Sequence, residues 1–340
     1  MNTIAMATLS KRDRFYEVAP KGAFFLDTDV AALDSYLRER AWLEFSESVT
    51  ATEIAGQGNM NYIVRVTTSG RTFILKQARP WVEKYPEIAA PFDRALVEAE
   101  FYSSVRHTAA AAFMPILHWV DEQSRILCLE DLGTFGDFTN VYAGVPIQPE
   151  ELEHLCRFLS FLHRSRSPLS NREMRALNHF HIFVFPFQPD KNIDLERVTA
   201  GLQVIAQTIK GNQLLRARVA EFGALYLADG GFLLHGDYFP GSWLHGRAGV
   251  KVIDPEFGFG GPREFDLGVM LAHLLMSGVT GARASLNSYA HWRDLDESLV
   301  RGFAGVEILR RILGVAQLPI NHDLKSKQSL VEEAVHLVLG

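Results

Sequence analysis

Between residues 27 and 44 the apolar positions Val30, Leu33, Leu37 and Trp42 fall close to helical spacing behind a capping Asp27 or Thr28, and predict a packing helix. The rhythm then changes. Residues 50–54 and 62–66 have strand character and are joined by Gly56, Gln57, Gly58, Asn59, Met60 and Asn61, a hairpin whose glycines let the backbone approach phosphates. A further strand at 72–75 delivers Lys76, and a helix over 91–107 follows with Glu98 and Glu100 both available. A short apolar strand at 125–129 runs into Glu130, Asp131 and Leu132, after which residues 133–148 are loop-like. Leu152, Leu155, Leu159 and Leu162 then mark one face of a helix over 149–165, a core stripe rather than a zipper. Residues 171–189 mix His179 and His181 with phenylalanines; two imidazoles without a third ligand are poor evidence for a metal, and the segment reads as a wall. One or two amphipathic helices occupy 195–228, and a helical pattern over 294–314 carries Arg310 and Arg311.

The stretch 233–266 concentrates the chemistry. An apolar run delivers His235, Gly236 and Asp237 to a loop; a turn at Gly246 to Gly249 leads to a strand at 250–253 that ends in Asp254, Pro255 and Glu256. Phosphoryl transfer needs one carboxylate to orient the attacking hydroxyl and others to hold Mg²⁺ against phosphate oxygens. Asp237 fits the first role, and Asp254 and Glu256 the second. The latter two share one face if the strand continues, because alternate strand residues point the same way. Either motif alone reads equally well as an ordinary turn or strand end; their order and spacing together favour chemistry. A lone Lys at a strand end is usually a solvated charge; standing after a glycine hairpin and before an acidic helix gives Lys76 more weight. The hairpin lacks the GKS or GKT of a P-loop, which excludes that route to a phosphate cradle.

HGD, a serine five residues on and an aspartate after an apolar strand together resemble the aminoglycoside phosphotransferase and choline kinase group of small-molecule kinases. Within that group the chain is similar to the methylthioribose kinase subfamily, through Ser242, the run Asp254 to Phe257, and Lys76, Gln77, Ala78 and Pro80. It departs at Tyr238, Phe239 and Pro240, where the subfamily is expected to have Leu-His-Thr. The resemblance implies an α+β, bilobal, protein-kinase-like fold: an N-terminal β-sheet lobe with one key helix over 1–130, and a larger, mainly helical catalytic and substrate lobe over 131–340. It implies ATP and Mg²⁺ as cofactors. Gly56, Gly58 and Asn59 then lie over the phosphates, Glu98 pairs with Lys76 with Glu100 in reserve, and Glu130, Asp131 and Leu132 read the adenine. Ser242 joins Asp254 and Glu256 at the metal, and Arg310 and Arg311 line the sugar site. Adjacent helical residues point about 100° apart, so one arginine at most is expected to reach the pocket directly. The acceptor is expected to be a methylthioribose-like pentose, with another sugar, an amino alcohol or an aminoglycoside as alternatives, and a nucleotide-binding pseudokinase as the alternative of another class.

Only about ten residues separate Glu256 from Asp266, too few for the activation segment and phosphosite of a protein kinase, so a small-molecule acceptor is favoured. Asp266 is expected to cap the following helix and to brace the catalytic loop. The 340 residues suffice for two lobes, and a net charge of -6, from 34 basic and 40 acidic residues, argues against a nucleic-acid partner. Cys128 and Cys156 sit in apolar segments without metal-ligand spacing and read as buried free thiols. With no signal-like N-terminus and no window approaching a membrane span, a soluble, cytoplasmic protein is expected, with room left for a homodimer.

Overall fold

The computed structural model describes residues 9–20, 23–56, 58, 60–167, 169–189, 193–247, 249–320 and 322–340. Contacts divide the chain into two compact units, one formed by Met1–Ser103 with Pro115–Leu132 and the other by Ser104–Met114 with Gly133–Gly340.

The first unit is built on an antiparallel five-stranded sheet. In chain order it contains α1 (Lys11–Val18), α2 (Val30–Glu39), β1 (Val49–Ile54), β2 (Tyr62–Thr68), β3 (Thr72–Gln77), the small hairpin β4 (Trp81–Val82) and β5 (Tyr85–Ala89), α3 (Arg94–Val105), β6 (Leu117–Asp121) and β7 (Ile126–Glu130). The large sheet runs β1-β2-β3-β7-β6, so β3 is central. Alternation assigns its faces. Phe73 and Leu75 join Val64, Val66, Ile126 and Cys128 in a core closed by Leu33, Tyr36 and Leu37 of α2, whereas Lys76 turns to the opposite face. The helix predicted over 27–44 is shorter than expected. Asp29 caps it, its carboxylate accepting the Ala32 amide at 2.7 Å, and Ala41, at φ +55°, ends the run before the buried Trp42.

The second unit is mainly helical. It comprises α4 (Pro149–Leu162), α5 (Arg172–His179), α6 (Leu202–Gly211), α7 (Gln213–Leu227), the short strands β8 (Phe232–Leu234), β9 (Trp243–Leu244), β10 (Lys251–Val252) and β11 (Phe259–Gly261), then α8 (Glu264–Met276), α9 (Ala282–Ser285), α10 (Glu297–Leu313) and α11 (Leu324–Leu339). A single π-helical turn, Phe180–Val184, continues α5. Helix α8 is buried along almost its whole length and packs on α10. Both cysteines are free and buried. Among the described residues no helix is long and apolar enough to cross a membrane.

The approach of α8 to α10 is close at Gly268, where a Cβ would stand 2.6 Å from the Phe303 Cβ and 2.9 Å from the Val300 carbonyl oxygen. Backbone cannot yield as a side-chain tip can, so the helices must separate to admit a methyl group. Gly268→Ala is therefore expected to destabilise the protein by about 1–3 kcal/mol, read as a lowered urea midpoint; an unchanged midpoint would show that the two helices do not depend on this contact.

Candidate active site

The loop 235–237 begins where β8, paired antiparallel with β11, ends at Leu234. Asp266, the third residue of α8, accepts the His235 amide at 2.7 Å on one carboxylate oxygen and the Gly236 amide at 3.0 Å on the other. His163, the buried C-cap of α4, donates Nε2–H to the same carboxylate at 3.1 Å, and its Nδ1 faces the Tyr289 hydroxyl. Asp266 thus braces the loop as expected. It does not cap the helix, because Arg263 occupies the N-cap position. Gly236 has φ +83°, and a Cβ there would run into the carbonyl oxygen of Phe257. That glycine lets the 235–237 loop and the 254–257 turn meet backbone to backbone.

Two hydrogen bonds tie Ile253, just before the turn, to this loop, and a third holds the loop itself. His235 donates Nε2–H to the Ile253 carbonyl at 2.9 Å, the Ile253 amide donates to the Ser242 carbonyl at 3.0 Å, and the Ser242 hydroxyl donates to the Asp237 carbonyl at 3.1 Å. Asn171 holds the far side, its Nδ2 donating to the carbonyls of Glu256 and Gly258 at 3.0 and 2.9 Å. The premise that put Asp254 and Glu256 on one strand face does not survive. β10 ends at Val252, Asp254 takes a left-handed conformation (φ +61°, ψ 51°), and Pro255–Phe257 forms a 3₁₀ turn. Asp tolerates that conformation better than most residues, and it redirects the chain immediately after the strand. Among the described residues no group of three or more His, Cys, Asp or Glu side chains forms a ready-made metal cage.

A cluster of buried charge stands against Asp237. Arg311 donates Nη2–H to Asp237 Oδ1 at 3.3 Å and Nε–H to Glu307 Oε1 at 2.6 Å. Arg310 reaches both oxygens of Glu307, at 3.1 and 3.0 Å, and its Nη1 lies 3.9 Å from Asp237 Oδ1. Both arginines therefore come to Asp237, contrary to the expectation that one at most would. Their side chains are long enough to converge on an acceptor one turn earlier in the helix, which overrides the 100° between their Cβ directions. His273 of α8 donates Nε2–H to Glu307 Oε1 at 3.3 Å, and its Nδ1 lies 2.6 Å from the Tyr142 hydroxyl. Burial pushes the His273 pKa down to about 4, with Glu307 acting against it. Burial of Glu307 opposes its charge, but the two guanidiniums prevail and hold its carboxyl well below the usual range. The Phe239 ring is 4.9 Å from the Arg311 guanidinium carbon and 5.4 Å from the His273 ring. Among the described residues, Arg310 Nε and His181 Nδ1 are buried without a hydrogen-bond partner. Glu307, His273 and Tyr142 were missed in the sequence, although the spacing of Glu307 to Arg310 and Arg311 (i, i+3 and i, i+4) was there to be read.

In the first unit Lys76 Nζ and Glu98 Oε2 form an ion pair of 2.7 Å, both side chains almost wholly buried, while Glu100 is exposed. Gly56 has φ +72°; Gly58 follows it, and Asn59 lies outside the described residues. Arg94, one turn before Glu98, donates to Asn61 Oδ1 at 3.0 Å and to the Met60 carbonyl at 2.8 Å, tying the returning arm of the hairpin to α3. At the end of β7 the Glu130 amide donates to the Ile116 carbonyl at 2.8 Å. The Asp131 carboxylate is gripped by Arg65 at 2.9 and 3.2 Å, and Leu132 closes the unit.

Comparison with known proteins agrees with this architecture. Residues 50–298 match the family model described as the phosphotransferase enzyme family. A methylthioribose kinase of Bacillus cereus (strain G9842) is 24% identical over 352 residues, covering 90% of this chain and 88% of its own. Among solved structures, the choline kinase LicA of Streptococcus pneumoniae is 14% identical with a TM-score of 0.51, covering 90% of this chain and 98% of its own. A spectinomycin phosphotransferase solved with ADP and spectinomycin is 12% identical with a TM-score of 0.52, covering 93% and 99%. At such identities the structural likeness speaks for the fold, an N-terminal antiparallel sheet with a helical C-terminal part. The chain belongs to the phosphotransferase enzyme family and is a small-molecule kinase with a protein-kinase-like fold.

Proposed function

We propose that this kinase transfers the γ-phosphoryl group of ATP to a hydroxyl of a small, uncharged, methylthioribose-like pentose. The charge balance beside Asp237 carries the choice of acceptor class. Two guanidiniums, Arg310 and Arg311, face two carboxylates, Glu307 and Asp237, and His273 is held neutral by burial. A strongly charged acceptor would find no net counter-charge there, whereas a neutral polyol gives up only hydration that hydrogen bonds can replace. The buried, unpartnered N–H of Arg310 supports this reading as a donor for a sugar oxygen. The methylthioribose kinase relatives supply the specific candidate.

In this reading Asp237 accepts the hydrogen bond of the acceptor hydroxyl and takes its proton as the oxygen bonds to phosphorus, while the bond to the bridging oxygen breaks and ADP leaves with the electron pair. Lys76 holds the α and β phosphates, its rotamer set by Glu98, under the hairpin that carries Gly56 and Gly58. Glu130, Asp131 and Leu132 meet the adenine. The Glu130 amide is already given to Ile116 and the Asp131 carboxylate to Arg65, so neither of those groups is the reader. Asp254, Glu256 and Ser242 offer only hard oxygen donors, the set that suits Mg²⁺, which commonly uses one or two carboxylates and keeps water and phosphate oxygens for the rest. A Mg²⁺ ion held by these residues would supply positive charge against the charge developing on the phosphates.

Asp237→Asn is expected to lower turnover by roughly 10² to 10⁴ with an unchanged thermal midpoint; wild-type turnover would sink the assignment. Lys76→Ala should raise the nucleotide KM by roughly 10- to 100-fold, the equivalent of a charge-assisted hydrogen bond of about 1.5–3 kcal/mol, and leave the acceptor KM unmoved. ADP release measured with methylthioribose, ribose, choline and an aminoglycoside should be fastest with methylthioribose. A preference for either cation would overturn the charge argument, and Mg-ATP binding without turnover on any acceptor would favour the pseudokinase.

A further inference from the structure

We propose that Tyr142, His273 and Glu307 are positioning residues for phosphoryl transfer: the Tyr142 hydroxyl holds His273 in one tautomer, His273 fixes Glu307, and Glu307 sets the arginine pair that aims the Asp237 carboxylate. The inference rests on the reading of Asp237 given above and extends it to three residues that act on the chemistry only through others.

The hydrogen-bond inventory leaves one arrangement. An ionised carboxylate only accepts, so each partner of Glu307 must donate: Arg311 Nε–H at 2.6 Å, Arg310 Nη1–H at 3.1 and 3.0 Å, and His273 Nε2–H at 3.3 Å. His273 therefore carries its proton on Nε2. A neutral imidazole then has a bare Nδ1, and the Tyr142 hydroxyl must donate to it across 2.6 Å. The ring is determined from both sides. Three segments far apart in the chain, the turn at Tyr142, the middle of α8 and α10, converge on this point.

The consequence for Asp237 follows from the shape of arginine. Arg311 is planar and uses Nε on Glu307 and Nη2 on Asp237, so a displacement of Glu307 is passed on through a rigid group. Phe239 touches both the Arg311 guanidinium and the His273 ring and ties them together. Misplacing a reacting group by about 1 Å can cost about 10² in rate, which is large enough to measure.

The test separates the two hydrogen bonds of His273. In His273→Asn the side-chain oxygen stays near the Nδ1 position and can accept from Tyr142, but nothing reaches Glu307. In the double variant Tyr142→Phe/His273→Gln the amide donor reaches Glu307 and no hydroxyl is left unpaired. The first should lose roughly tenfold or more in kcat with the nucleotide KM unchanged, and the second should stay within about threefold of wild type. Equal loss in both would mark a merely structural role, and wild-type kcat in both would show that Glu307 needs no help; either result overturns the proposal. Should His273→Asn not fold, Glu307→Gln replaces it, with a loss of roughly 10² in kcat expected and wild-type kcat fatal. Nitrogen NMR of histidine-labelled wild-type enzyme should find His273 protonated at Nε2 alone near neutral pH; a proton on Nδ1 overturns the proposal regardless of kinetics. A fully active Asp237→Asn variant would instead sink the underlying reading of the site.

Discussion

Asp266 holds two consecutive backbone amides, and the geometry of the loop that carries Asp237 depends on that interaction. For the amides of His235 and Gly236 to point at one carboxylate, the chain must turn sharply between them, which places Gly236 in the left-handed region and brings its backbone against Phe257. The same turn that presents Asp237 therefore also seats the segment from Asp254 to Phe257. His163 completes the arrangement by covering the remaining side of the Asp266 carboxylate in a fully buried environment, where an unsatisfied charge would be costly. The loop is defined by a donor inventory rather than by propensity. Neither half of it would hold this shape without the other.

Glu307 repeats the device one helix away. It is almost wholly buried and surrounded by donors, and it draws the two arginines and His273 to a common point. A buried ionic group is a poor way to gain stability, because desolvation consumes much of the attraction, and apolar residues of similar volume often do as well. What such a group does supply is geometry, since few other positions of the partners satisfy every N–H. Asp266 and Glu307 lie on α8 and α10, the helices that meet at Gly268, so the spacing of one helix pair sets both carboxylates relative to each other. A small residue at the crossing is thus part of how the site is held, although it touches nothing that reacts.

Much of this was legible in the sequence, and the exceptions have separate physical causes. The strands around Lys76, the helix bearing Glu98 and the delivery of Asp237 follow from alternation, helical spacing and a glycine hairpin, all of them local. Asp254 and Glu256 misled because strand alternation was carried past Val252, where β10 ends; nothing in the letters announces a left-handed aspartate before a proline. The arginine pair misled because Cβ directions were weighed without the acceptor that draws both side chains together, even though Glu307 lies only three and four residues away. Tyr142 and His273 are 131 residues apart and meet through folding alone, so no window on the chain could pair them. Of the two roles expected of Asp266, the brace on the loop is present and the helix cap is not, because both carboxylate oxygens are taken by the loop behind it.

The resemblance to methylthioribose kinases leads one to expect Leu-His-Thr where this chain has Tyr238, Phe239 and Pro240, and the three positions do not carry equal weight. Tyr238 is buried, lies nearly parallel to Phe158, and gives its hydroxyl to the Leu155 carbonyl at 3.0 Å, so its substitution is absorbed by the core. Pro240 opens a 3₁₀ turn, and its carbonyl accepts the Phe138 amide at 3.1 Å, a backbone role that the loop needs whatever the acceptor. Phe239 is different: it is only partly buried, it follows Asp237 by two residues, and its ring lies beside Arg311 and His273. An imidazole there could hydrogen-bond to an acceptor, whereas a phenyl ring offers only an apolar face and a quadrupole for the neighbouring guanidinium. Of the three, Phe239 is therefore the side chain that bears on the proposed acceptor site, and it packs on the Arg311 and His273 that the proposed network uses. Under the proposed reading of Asp237, a substitution at Phe239 would disturb the packing on Arg311 and His273 together with any contact to the acceptor, which would couple selectivity to turnover.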